Sequence, residues 1–306
     1  MKNLKYFIKE LADYYKKDIQ YQGYDFANLT EIARKEIGIF LEEKMGLKKI
    51  DWMMLKDEIT DKKIEKNLEI LVNKRKKGLP LAHILKKQDF FGISFKVNRH
   101  TLIPRPETEE LVECALSKIQ KLKGGEVTLV DVGTGSGCII TAFCHNLPEK
   151  IKIKEVLAID KSGEALKCAK INLKAILRGK YPIKFRLDSL LNPLIKMKKP
   201  LTGTFFIFAN LPYLAEAEFK KLSPEVSKNE PKSALVSGKG GFELTNELIS
   251  QALFLKKKNP KAKLEIFFEI SPQIFPGIKK HLSQNLVTFE TQKDLAGKLR
   301  ILYVSI

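Results

Sequence analysis

Paired cysteines are missing from this chain. Its four, Cys114, Cys138, Cys144 and Cys168, form no C-x-x-C pair, and zinc clusters and redox motifs need closer, more regular spacing. The four histidines, His83, His100, His145 and His281, are equally scattered, with no H-E-x-x-H. The expectation is free thiols and no metal site. No apolar run approaches the ~20 residues of a membrane-spanning helix. The start, Met1-Lys2-Asn3-Leu4-Lys5-Tyr6, lacks the apolar stretch of a signal peptide, so a cytoplasmic protein is expected. Arginine is scarce too. The net charge of +19 invites a nucleic-acid reading, yet only seven of the 55 basic residues are arginine, the side chain on which base-reading and phosphate-gripping surfaces lean. Solvated, lysine-rich faces are the expected source of the charge, with no requirement for nucleic acid.

What is present suits two domains in 306 residues. The first part reads as short helices, with Leu4, Phe7, Ile8 and Leu11, then Ile37, Phe40 and Leu41, then Ile64, Leu68, Leu71 and Val72 at helical spacing. Asn28 followed by Glu31 suggests a capping box opening the second helix. A basic run from Lys74 to Lys77 ends at Gly78-Leu79-Pro80, where a helix must stop. Alternation around Phe90–Val97 predicts a short strand or hairpin. The organisation expected is a helical bundle over residues 1–77, a linker with the hairpin over 78–104, and a second domain over 105–306.

In that second domain, β-rich apolar runs occur at 127–132, 156–159, 183–187, 205–209, 264–270, 286–289 and 299–306, and helical stretches such as 162–177 and 241–257 separate most of them. Strand–helix alternation predicts a parallel sheet covered on both faces. The last two strands leave no room for a crossover helix between them and should pair antiparallel. A seven-stranded, mostly parallel, Rossmann-like sheet with such an end resembles the class I methyltransferases.

The first of these strands runs into Asp131-Val132-Gly133-Thr134-Gly135-Ser136-Gly137-Cys138. Glycines there let the backbone turn sharply and approach a ligand. A dinucleotide fingerprint, G-x-G-x-x-G, would want its third glycine where Cys138 stands. The spacing G-x-G-x-G, with an Asp two residues ahead, resembles the loop that cradles S-adenosylmethionine, so Gly133, Thr134, Gly135, Ser136 and Gly137 are expected to bind that cofactor. Asp160 ends the next strand, where an acceptor-only carboxylate can take both ribose hydroxyls. Asp188 ends the strand after that and by position could receive the adenine amino group.

The run Phe205–Ala209 ends in Asn210-Leu211-Pro212-Tyr213. The tetrapeptide has a physical logic for methylating a planar, conjugated NH2 group, whose lone pair is delocalised. The Asn210 side-chain oxygen and the Leu211 carbonyl can hold the two N–H groups, aim the nitrogen at the methyl donor and stabilise the positive charge that grows on it. Pro212 restricts Leu211 to extended geometry, and Tyr213 offers a flat face for the planar group. No general base is required, because the methylated nitrogen becomes acidic enough to shed its proton.

Taken together, residues 78–306 resemble the release factor glutamine methyltransferases. The resemblance is carried by Gly78-Leu79-Pro80-Leu81-Ala82-His83-Ile84, by Ile103 to Val112 with Arg105-Pro106-Glu107-Thr108 its most specific part, and by the glycine loop with Cys138 and Ile139. Glu230-Pro231, Ala234-Leu235 and the tail Lys293-Asp294-Leu295-Ala296-Gly297-Lys298 also match. The resemblance implies a class I S-adenosylmethionine-dependent enzyme in which Gly133 to Gly137, Asp160 and Asn210 contact the cofactor. It implies further that Asn210 to Tyr213 hold the glutamine of the Gly-Gly-Gln motif of peptide chain release factors, by a monomeric enzyme whose N-terminal helices recognise the factor. The family usually has N-P-P-Y. Leucine at 211 supplies the same main-chain carbonyl, but N-L-P-Y also resembles the ribosomal RNA adenine dimethyltransferases, which leaves an adenine amino group as the alternative target. Ser189 stands beside Asp188 where the family often has an aromatic residue. The roles of Arg105 and Glu107 stay open at this level.

Overall fold

The computed structural model of the chain describes residues 2–18, 21–55, 59, 61–122, 124–294 and 296–306. Leu295 of the tail stretch lies outside the described residues. The chain forms two compact units, Met1–Lys87 with Leu222–Asn229, and Gln88–Lys221 with Glu230–Ile306.

The first unit holds helices α1 (Leu4–Tyr15), α2 (Phe26–Met45), α3 (Lys49–Met53), α4 (Lys62–Lys76) and α5 (Leu81–Leu85). Every apolar residue expected on their inner faces is buried, joined by Ala12, Tyr15 and Trp52. Gly38 on α2 makes room for Trp52, whose ring would lie 2.5 Å from an added Cβ, and the indole Nε1–H donates to Glu42 at 2.8 Å. The cap of α2 differs from expectation. Asp25 is the N-cap and accepts the Asn28 N–H at 2.7 Å, so the helix starts about a turn earlier. A carboxylate on extended backbone satisfies a first-turn amide, and Asn28 and Glu31 fall inside the helix. α4 stops as expected, at Lys77 and a left-handed Gly78.

The second part of this unit comes from far along the chain. Helix α11 (Pro224–Asn229) brings Glu225 to Arg75, whose guanidinium donates from Nη1 and Nη2 to the two carboxylate oxygens at 2.9 and 3.2 Å. Arg75 Nε lies 2.7 Å from Glu36, Nη1 also donates to the Leu79 carbonyl at 2.7 Å, and the group stands over the Tyr15 ring. The Asn229 side chain donates to the Gly78 carbonyl. Burial pushes the Glu36 carboxyl up to about 7, against the pull of Arg75.

The second unit opens with the hairpin β1 (Lys87–Phe90) and β2 (Ile93–Lys96), turned by Phe91 and Gly92 at φ 53° and 71°, the left-handed pair that a two-residue hairpin needs. Helix α6 (Glu109–Gln120) follows. Then come β3 (Gly125–Val132), α7 (Cys138–His145), β4 (Ile151–Asp160), α8 (Gly163–Leu177), β5 (Ile183–Leu187), α9 (Asn192–Ile195) and β6 (Gly203–Ala209). The short α10 (Glu216–Phe219), α12 (Glu243–Lys258), β7 (Ala262–Glu269), α13 (Phe275–Gln284), β8 (Phe289–Lys293) and β9 (Leu299–Ser305) complete it.

The sheet runs β5-β4-β3-β6-β7-β9-β8. β5, β4, β3, β6 and β7 are parallel, and β9 is antiparallel to both β7 and β8. Successive residues of the central strands feed two cores. Val130, Val132, Ile207 and Ala209 pack on one face with Leu248, Ile249 and Ala252 of α12. Leu129, Phe206 and Phe208 pack on the other with Leu111 and Ala115 of α6 and Phe143 of α7. Burial on both faces is why these strands read as mostly apolar runs and not as alternating ones. The expected strand at 286–289 is displaced: Leu286 is almost fully exposed at φ 54°, in the turn after α13, and β8 begins at Phe289. Apolar character alone does not make a strand where the chain is still leaving a helix.

Candidate active site

Parallel pairing brings the carboxyl ends of β3, β4 and β6 to one edge, with Val132 level with Ile159 on one side and Ala209 on the other. The loop after β3 is held against β4 by its own backbone, since the Gly133 and Thr134 N–H groups both donate to the Ile159 carbonyl at 2.9 and 3.0 Å. Gly133, Gly135 and Gly137 all have positive φ, 72°, 55° and 78°, a conformation L side chains rarely adopt. Asp131 is buried and accepts the Thr134 hydroxyl at 2.6 Å. Burial pushes its carboxyl up to about 7. Asp160 accepts the Gly135 N–H on Oδ2 at 2.9 Å and the Ser162 N–H on Oδ1 at 2.8 Å. That carboxylate thus braces the loop and keeps a further lone pair on each oxygen for a ligand.

A cleft of about 920 Å³, part of it open to solvent, lies at this edge. Among the expected residues, Gly133, Thr134, Gly135, Ser136, Asp160, Asp188, Asn210, Leu211 and Pro212 line it. Gly137 and Tyr213 do not. At Gly137 an added Cβ would sit 2.3 Å from Leu173 of α8, so this glycine allows α7 and α8 to pack closely. Tyr213 packs against the core beside α12, and burial pushes its phenol up to about 12. Its carbonyl faces Gly241, where an added Cβ would come within 2.3 Å. The chain beyond it is pinned by the Leu214 N–H to the Leu235 carbonyl and by the Ser237 N–H to the Leu214 carbonyl, both at 2.9 Å. Asp188 is more committed than expected, because Lys196 at 2.6 Å holds its carboxyl below the usual range.

Sequence reasoning assigned no role to several lining residues, among them Leu102, Pro104, Arg105, Thr108 and Leu190. Arg105 pairs with Glu230, a buried acid that also accepts the Ile103 N–H at 3.0 Å, which ties the two segments together in the fold. Behind the cleft, Glu269 at the end of β7 is buried. It accepts the Thr108 hydroxyl at 2.5 Å and the Asn210 side-chain N–H at 2.8 Å. Burial pushes the Glu269 carboxyl up to about 7, against Thr108 and Arg300. The signal for it was an acid closing the apolar run Ile266-Phe267-Phe268.

No protein-family model matches the chain. Among curated proteins, it is 38% identical over 232 residues to the release factor glutamine methyltransferase of Nitratidesulfovibrio vulgaris, covering 73% of this chain and 72% of that one. It is 35% identical over 265 residues to the release factor glutamine methyltransferase of Enterococcus faecalis, covering 86% and 88%. The chain belongs to the release factor glutamine methyltransferase family. Its fold is that of a class I methyltransferase: the hMettl16 catalytic domain, solved in complex with MAT2A 3'UTR hairpin 1, superposes with a TM-score of 0.50 at 18% identity over 93% of each chain. At that identity the likeness concerns the fold alone. Family membership agrees with the stretches from which it was read. Among the described residues no helix is long and apolar enough to cross a membrane, and no group of His, Cys, Asp and Glu could hold a metal. All four cysteines are free and buried.

Proposed function

We propose that this chain methylates the side-chain amide nitrogen of the glutamine in the Gly-Gly-Gln motif of peptide chain release factors, with S-adenosylmethionine as donor. One observation carries the reading. In a chain of this family, Asn210, Leu211 and Pro212 stand in the same cleft as the glycine loop and Asp160. The cleft fits the cofactor in kind, with glycines where close backbone approach is needed, an acceptor-only carboxylate at a strand end, and apolar walls from Val132, Ile139 and Leu190 for a flat base.

When bound, the cofactor supplies a methyl group made electrophilic by its sulfonium. Everything else falls to the chain. Gly133 to Ser136 bring main chain close to the cofactor, Asp160 receives the ribose hydroxyls and Asp188 lies toward the adenine end. The Asn210 Oδ1 and the Leu211 carbonyl accept the two N–H groups of the glutamine amide, fix the plane of the nitrogen and stabilise its growing positive charge. Pro212 keeps Leu211 extended. The helical unit recognises the factor away from its Gly-Gly-Gln loop, and contacts remote from the reacting atoms help to position them.

Two results follow. Asp160→Ala should weaken cofactor binding by about 1.5–3 kcal/mol, the range for a hydrogen bond to a charged group. Calorimetric titration checks this, and unchanged affinity in a folded variant contradicts the assignment. Purified chain with radiolabelled cofactor should label an intact release factor and leave ribosomal RNA unlabelled. Labelling of RNA alone, with binding that falls steeply with salt, would favour the adenine amino group as the target.

A further inference from the structure

An asparagine can turn either its oxygen or its NH2 toward a ligand, and only the oxygen accepts an N–H from a substrate amide. The orientation of Asn210 is decided behind the cleft. β6 and β7 pair in parallel with Ala209 opposite Phe268, so the next residues on each strand, Asn210 and Glu269, leave the sheet side by side. Glu269 is only 5% exposed and Thr108 only 2%. Asn210 Nδ2 lies 2.8 Å from Glu269 Oε2 and 3.2 Å from Thr108 Oγ1. The Thr108 hydroxyl has one hydrogen, directed to Glu269 Oε2 at 2.5 Å, so toward Asn210 it is an acceptor. Two acceptors therefore meet the NH2 end of Asn210. Turning the amide over would set its oxygen against a carboxylate and a hydroxyl lone pair, both buried, where unmatched polar contacts are expensive.

We propose that Glu269, with Thr108, is a positioning residue for methyl transfer, holding Asn210 so that its amide oxygen enters the cleft. The proposal rests on the reading in which Asn210 holds the target nitrogen. Glu269 does not reach the reacting atoms. It acts through Asn210 in two ways. It fixes which end of the amide faces the substrate, and by accepting from Nδ2 it polarises the amide, which makes Oδ1 a stronger acceptor as positive charge develops on the substrate nitrogen.

The test is a double-mutant cycle on the full chain, with a release factor as substrate and single-turnover rates as readout. Glu269→Gln keeps the size of the side chain but puts an NH2 donor in place of one carboxylate oxygen and removes the negative charge that polarises Asn210. It should slow transfer by about tenfold or more, with KM little changed, because the interaction matters most in the transition state. Thr108→Val should slow transfer in the same way, and Thr108→Ser should recover most of the rate. In an Asn210→Ala background, Glu269→Gln should cost less than about twofold more, since residues acting through one another are not additive. The same loss in both backgrounds, or a full rate in Glu269→Gln or Thr108→Val, overturns the proposal. If Glu269→Gln does not fold, as judged by calorimetric binding of S-adenosylmethionine, the Thr108→Val and Thr108→Ser pair decides by itself. If Asn210→Ala retains the full rate, the reading beneath the proposal falls and takes the proposal with it. A slow Asn210→Ala beside a fast Glu269→Gln removes the proposal alone.

Discussion

Asn210→Ala is expected to slow methyl transfer by ~100-fold or more, far more than it alters affinity for the release factor. A conjugated nitrogen is a weak nucleophile, and in the proposed mechanism the positive charge it acquires during transfer is met by the Asn210 oxygen and the Leu211 carbonyl. Removing the first leaves one acceptor and frees the amide plane to turn, so orientation and electrostatic stabilisation are lost together. The loss should appear in the single-turnover rate, because the interaction strengthens as charge develops. The Asn210 side chain bonds to Thr108 and Glu269, not to the glycine loop, so the loop should keep its shape in the variant. A variant with wild-type turnover would contradict the mechanism.

Arg75→Ala is expected to destabilise the helical unit by about 3–5 kcal/mol, the usual cost of stripping one partner from a buried ion pair. Arg75 is 3% exposed at its side chain, and its two carboxylate partners, Glu36 and Glu225, are 11% and 14% exposed. Without the guanidinium, two enclosed acids face each other and the Leu79 carbonyl loses its donor. Arg75→Lys should restore only part of the loss, since an ammonium cannot fork onto the Glu225 carboxylate while also reaching Glu36. Trp52, the single tryptophan of the chain, is buried in this unit, so its fluorescence during urea unfolding is a direct readout. An unchanged midpoint would show that the pair contributes nothing.

Sequence and structure agree wherever an element is defined by its own residues. The doubly covered strands β3, β6 and β7 are rich in apolar residues, and the glycine loop, Asp160 and the Asn210 tetrapeptide fall at the ends of β3, β4 and β6, so the cleft could be assembled on paper. Disagreement arises at one local cap and one helix end, and beyond these where distant chain decides. Asp25 caps α2 because its carboxylate reaches a first-turn amide, which a capping-box pattern at Asn28 does not reveal. The short helix α11 belongs with the N-terminal helices through Glu225 and Asn229, and nothing local in Pro224–Asn229 marks it as theirs. Glu269 and Thr108 meet Asn210 only after β6 and β7 are set in register, and that register is absent from any one segment. Gly137 and Tyr213 had the right residue types for ligand contact, but the packing of Leu173 and the backing of Gly241 give them other surroundings.

The central claim, methylation of a glutamine side-chain amide in a release factor, is tested most directly by locating the methyl group. A purified release factor should be incubated with this chain and S-adenosylmethionine, digested, and mapped by fragmentation mass spectrometry. The account predicts one added methyl on the side-chain nitrogen of the glutamine in the Gly-Gly-Gln motif, absent when that glutamine is replaced and strongly reduced, at equal time, when Asn210→Ala is used. A methyl on any other residue, or an unmodified factor beside methylated adenine in ribosomal RNA, would contradict it.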